Sequence, residues 1–224
     1  MKNDFYYWQG TETQKDLVIY RSDQPAIKTY EYVDLVLDVA EKCGVKRLYT
    51  AGSFGATGIT HSDKSMVLGV TNQPDLRALL EKHDVKPYPE YKGVGNIHSS
   101  FLWFARKRNI EAISLWSPMP YYVARLPFPW SNYPKCSVAI LEKLIAMEGI
   151  QVDLGEVETS ARQTESEMGK IYDELYEQAK KEFVYPNVEQ TPSYTEDAAE
   201  PISEDDIKRM MKDVEDFFNK GDGG

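Results

Sequence analysis

Two glycine-bearing stretches hold the residues best suited to chemistry. The first, YTAGSFGATGITHS, follows a hydrophobic run and sets Gly52, Gly55 and Gly58 at every third position, with Ser53 between them and His61 just beyond. Glycines after a strand can turn backbone N–H groups toward an anion, above all where a helix starts next. The spacing fits neither the GxxxxGK[ST] phosphate loop nor GxGxxG, and a second β-rich run follows where a helix would be needed. The second stretch, YKGVGNIHSS, carries Gly93, Gly95, Asn96 and His98 directly before a helical pattern that Ser99 or Ser100 can cap. A histidine at a helix start loses proton affinity to the helix dipole and becomes a usable neutral base. In an open α/β sheet both stretches can border the crevice at the carboxyl ends of the strands. The expectation is one ligand pocket formed by Gly52, Ser53, Gly55, His61, Gly93, Gly95, Asn96 and His98. No motif pairs a nucleophile with either histidine, so no catalytic residue is assigned. The competing structural readings are a tight passage between strands for the first stretch and a loop histidine bonded to backbone for the second.

A third stretch suggests contact rather than catalysis. LWSPMPYYVARLPFPWSNYP brings Tyr121, Tyr122, Phe128, Trp130 and Tyr133 within thirteen residues, stiffened by prolines. Rigid aromatic surface binds with little loss of entropy, which suits an interface. The candidate interface residues are Tyr121, Tyr122, Phe128 and Trp130; the alternative is that these rings cover the end of the sheet. Cys43 and Cys136 form no CxxC or Cys/His cluster, so neither a metal site nor a cofactor is expected. Glu111 is the one body carboxylate placed like a catalytic group, directly before a strand, and chance explains its position equally well.

The elements that must position these residues alternate in type. Residues 17–20 (LVIY), 45–50 (VKRLYT), 65–71 (SMVLGVT) and 112–116 (AISLW) read as strands. Helical stripes cover 29–43, 74–83, 100–109 and 135–147, and a long helix runs from about 153 to 183. Gly44 and Gly149 close two of them, and Pro74 suits a first helical turn. The stretch from 117 to 134 is too rich in proline for a regular element. Strands separated by helices predict an α/β sandwich with a mostly parallel central sheet. Right-handed crossovers then place helices on both faces, giving three α/β/α layers.

Residues 1–185 form this α/β domain, 186–202 read as a linker, and 203–221 as an acidic amphipathic C-terminal helix with Ile207, Met210, Met211, Val214, Phe217 and Phe218 in one stripe. The formal charge of the whole sequence is −10, and residues 186–224 carry eleven acidic against four basic side chains. No basic stripe exists to meet a phosphate backbone, so nucleic acid is not an expected partner. No apolar run is long enough for a membrane span and the first residues lack a signal-peptide layout, which together predict a cytoplasmic protein.

The order of the pieces resembles a known family. LYTAGSFGATGITHS, VLGVTNQPDL, the GxGN run before a helix, LW-x-x-x-P-x-Y and the VDLGEVETSARQ helix are together similar to the proteasome assembly chaperone 2 family of archaea and bacteria, over residues 15–185. The resemblance implies a phosphorylase/hydrolase-like α/β/α fold, assembly as a homo-oligomer, and a protein partner such as an assembly factor or proteasome-like complex. It implies no catalytic residues. The function expected is that of a non-enzymatic, chaperone-like or scaffold protein. The alternative is an enzyme of phosphorylase/hydrolase or carboxylate-amine ligase type acting on a small molecule in the glycine-stretch crevice.

Overall fold

The structure, a computed structural model, describes residues 3–11, 14–23, 25–88, 95–126 and 132–182, with side chains described up to 174. Gly93, Phe128, Trp130, the linker and the C-terminal amphipathic segment therefore lie outside the described residues.

A four-stranded sheet forms the centre, in the order β3 (Arg47–Ala56), β6 (Glu111–Pro120), β4 (Leu68–Thr71), β5 (Lys86–Pro87). β3 runs parallel to β6, and β4 parallel to β5, while β4 and β6 are antiparallel. Alternation along β6 sorts the layers. Ile113 and Leu115 enter a core with Leu80 of α2 (Arg77–Lys82) and with Ala139, Ile140 and Met147 of α5 (Pro134–Glu148). Ala112, on the other face, packs with Val33 and Leu37 of α1 (Thr29–Lys42) and Ala105 of α3 (Ile97–Lys107). The three-layer α/β/α arrangement with a mostly parallel sheet follows. A third core joins Met119, Val123 of α4 (Tyr121–Ala124), Cys136, and Met168 of α6 (Gly155–Glu182).

Three local readings are corrected. The run LVIY belongs to β2 (Leu17–Ser22), which pairs antiparallel with β1 (Asn3–Trp8) as a separate two-stranded sheet outside the central one. The inner face of that pair is held by Tyr20, which stacks on Phe5 at 4.3 Å and shares a hydrogen bond of 2.7 Å with Tyr32 of α1. The glycine stretch is not a loop: β3 continues through Gly52, Ser53 and Gly55, in register with Trp116, Ser117 and Met119. Gly58, at φ 79°, makes the turn beyond it. The proline-rich stretch is regular at its start, because residues 117–120 extend β6. There β6 pairs only with β3, as the β4 pairing ends at Trp116. Having lost one neighbour, the strand can carry Pro118 and Pro120 without breaking a ladder on both sides.

Candidate functional site

The layer containing α1 and α3 has a groove in it, running between α3 and the β4–β6 part of the sheet. Its volume is about 480 Å³, within the range of ligand-binding clefts. α3 begins after Asn96, whose Oδ1 accepts hydrogen bonds from the Ser99 N–H at 2.9 Å and the Ser99 hydroxyl at 3.1 Å. That cap sets the helical phase so that Asn96, Ser99, Leu102, Trp103 and Arg106 follow one another down the groove wall, at helical spacing. Opposite them stand Val70, Thr71 and Asn72, with Ser114 and Trp116 of β6 forming the floor.

Asn72 belongs to the framework. Its Nδ2 donates to the Ile110 carbonyl at 2.8 Å and its Oδ1 accepts from the Ala112 N–H at 2.9 Å, which bolts the end of β4 to the start of β6. The buried Ser114 hydroxyl accepts from Thr50 Oγ1 at 2.8 Å. One end of the groove is aromatic. The Trp116 indole lies with its centroid 4.4 Å from the His98 ring, 5.9 Å from Tyr88 and 6.3 Å from Phe54. Gly52 makes this possible, since a Cβ there would stand 2.8 Å from Trp116 Cζ3. His98 Nδ1 is sequestered and has no hydrogen-bond partner among the described residues. Burial lowers the proton affinity of the ring below its ordinary value, so His98 is neutral at pH 7. Among the described lining residues only Arg106 carries a formal charge at that pH, and none is a carboxylate.

The groove brings together Asn96 and His98 from the expected pocket, with Gly52 supporting it from beneath Trp116. Ser53 and Gly55 are not among its lining residues; Gly55 instead admits α4, with its missing Cβ placed 2.8 Å from Ala124 Cβ. Gly95 precedes the capping residue and Gly93 lies outside the described residues. His61 is engaged elsewhere. Its backbone N–H donates to the Tyr122 hydroxyl at 2.8 Å, and the same hydroxyl meets Nδ1 at 2.8 Å. The His61 carbonyl accepts from Lys135 Nζ at 2.6 Å, and Lys135 also pairs with Glu165 of α6 at 2.7 Å. This clasp pins the segment after β3 to α4, α5 and α6. Of the proposed interface aromatics, Tyr121 is exposed while Tyr122 is half-buried within the clasp. Trp103, Arg106 and Trp116 are the groove residues that the sequence reading passed over. Period-two alternation from Ala112 would have put Trp116 on the α1/α3 face, and helical spacing from Asn96 would have reached Trp103 and Arg106.

Among the described residues no helix is long and apolar enough to cross a membrane. Comparison with known proteins follows the fold. The sequence model of the PAC2 family matches residues 1–172. An uncharacterized protein of Methanocaldococcus jannaschii is 26% identical over 145 residues, covering 65% of this chain and 52% of that protein, so the chain spans about half the length of this curated relative. A PAC2 family protein from Streptomyces avermitilis superposes with a TM-score of 0.65 at 25% identity, over 81% of this chain and 71% of the other. Pyrococcus furiosus PbaB, described as an archaeal proteasome activator, does so with a TM-score of 0.61 at 20% identity, over 76% and 71%.

Proposed function

Since the chain belongs to the PAC2 family, we propose that it is a chaperone-like protein that binds protein partners, self-associates, and performs no catalysis of its own. The observation that carries this reading is the groove along α3. Its rim is open at Val70, 39% exposed, and Trp103, 57% exposed, which suits a polypeptide laid across it better than a small molecule enclosed within it. Relatives described as a proteasome activator and as homologues of proteasome-assembly chaperones support a protein complex as the partner class. Self-association is assigned to the surface around Tyr121, which is 46% exposed at the end of a buried strand. The protein acts in the cytoplasm and needs neither nucleic acid nor a membrane.

The test is site-specific photocrosslinking in the native host. A photoreactive residue replacing Leu102 should give a discrete adduct with another protein, and one replacing Lys82 on α2 should not. Equal labelling from both positions, or none from Leu102, would count against the reading.

One observation favours a second reading. A neutral His98 at the groove, its Nδ1 without a hydrogen-bond partner among the described residues, is a usable base for an enzyme of phosphorylase/hydrolase or carboxylate-amine ligase type. Turnover of nucleoside, phosphate-ester or peptide substrates by the purified protein, lost on His98→Ala, would establish that reading and remove the first.

A further inference from the structure

We infer that the α3 groove recognises an extended segment of a partner protein that carries an aromatic side chain and, three or four residues away, a carboxylate. This rests on the protein-binding reading above and specifies what that groove selects.

The two ends of the groove differ in chemistry. At the α3 N-terminus, Trp116, His98 and Tyr88 form an aromatic wall with ring centroids 4.4 and 5.9 Å from the indole. Such walls take another ring in offset or edge-on contact. At the other end stands Arg106, and its state differs from that of its neighbours in sequence. Arg108 is spent on α1, pairing with Asp34 and Asp38 at 2.7 Å and Glu41 at 3.0 Å. Lys107 sits 5.1 Å over the Trp103 ring. Arg106 makes no ion pair with a described residue, and no carboxylate is among the described residues that line the groove. In a chain of charge −10 the groove is thus a local site of positive charge, complementary to an anionic group.

Spacing sets the motif. From His98 to Arg106 is eight residues of helix, which span about 12 Å at ~1.5 Å per residue. An extended peptide advances ~3.3 Å per residue, so a ring at one end and a carboxylate at the other are about three to four positions apart. Exposed Val70 on β4 leaves room for the connecting backbone.

The experiment uses the full-length protein and fluorescein-labelled, end-capped peptides followed by anisotropy. The probe is GSFSSEG, with GSFSSQG, GSASSEG and GSEFSSG as comparisons. The parent should bind more tightly than the glutamine peptide by about fivefold, the scale of an exposed ion pair. It should also outbind the alanine and adjacent-spacing peptides. In Arg106→Ala, which removes a side chain that makes no ion pair with a described residue, the parent and glutamine peptides should bind alike. Salt should erode the preference in the unaltered protein. Equal affinity for all four peptides, or a glutamate preference that survives Arg106→Ala, overturns the inference. Binding of N-acetyl-phenylalanine amide as tight as that of the parent peptide overturns it too, by showing a small-molecule pocket. Photocrosslinking from Leu102 separates the two levels: a protein adduct with failed peptide selectivity sinks the motif and leaves the protein-binding reading standing.

Discussion

At Gly52 a single hydrogen in place of a side chain decides where an indole lies. A Cβ would meet Trp116 Cζ3 at 2.8 Å, closer than real Cβ atoms approach, and Cε3 at a tight 3.0 Å. Gly52→Ala should therefore destabilise the fold by about 1–3 kcal/mol in urea titration, the scale of core overpacking. Trp116→Leu should relieve much of that penalty, so the double variant should lose less than the sum of the singles. Additive losses would show that the glycine is needed for another reason. His98, on the same wall, makes a prediction about pH. Its folded-state proton affinity is lowered by burial below the ordinary value of 6.5. The unfolded chain then binds the extra proton, so stability is full above pH ~6.5 and falls as pH drops toward the folded value. His98→Phe should flatten the acid side of a Tm-against-pH curve just below pH 6.5. An unchanged slope would place the acid sensitivity elsewhere.

Among the elements, the β1–β2 pair depends most on its tethers, because an isolated two-stranded sheet is marginal in water. One tether is Glu148 at the end of α5, whose largely buried carboxylate accepts from Lys15 of the hairpin connection at 2.5 Å, Tyr49 of β3 at 2.5 Å and Arg47 at 2.7 Å. Burial opposes its ionisation, but the hydrogen bonds from Lys15, Tyr49 and Arg47 outweigh it and hold the carboxyl below its ordinary value of 4.5. Its contribution is present above that value and is lost as pH falls through the lowered one. Glu148→Gln should cost about 1–3 kcal/mol at pH 7, since it leaves charged donors facing a neutral amide. Lys15→Ala should cost under about 1 kcal/mol, its ammonium being exposed, yet should speed hydrogen exchange in β1 and β2 selectively. Uniform acceleration across the sheet would show that the pair is not a separately tethered unit.

For the whole molecule the central expectation is self-association. An exposed Tyr121 follows a strand whose last residues are buried, so its ring stands on a rigid base. Its hydroxyl accepts from Arg125 Nη1 at 2.7 Å, which further limits its motion and the ordering cost of contact. Sedimentation velocity should show an oligomer, and Tyr121→Ser should shift it toward a smaller, folded species. A folded variant with an unchanged sedimentation coefficient would remove this surface from the interface. The inward neighbour Tyr122 provides the contrast. Tyr122→Phe deletes the hydroxyl that holds His61 and should lower Tm rather than change subunit number.

What the sequence determined by itself was the alternation of elements and hence the layers. The stripe Val33, Val36, Leu37, Ala40 carries a helical period, and the apolar run AISLW is too short for a helix and long enough for a buried strand. Legible too, and for the same local reason, were Gly44 and Gly149 as helix ends, both with positive φ. Partners in space were not legible. That Gly52 and Gly55 sit in a strand rather than a loop depends on Trp116 and Ala124, which are more than sixty residues away along the chain and press against the vacant Cβ positions. That Pro118 and Pro120 continue a strand depends on β4 ending early on the far side. His61 and His98, both placed in one expected pocket by the sequence, are separated by what each meets: a tyrosine hydroxyl for one, a tilted indole ring for the other. Local periodicity is written in neighbouring residues and can be read from them. A site is written in contacts between residues that only the folded chain brings together.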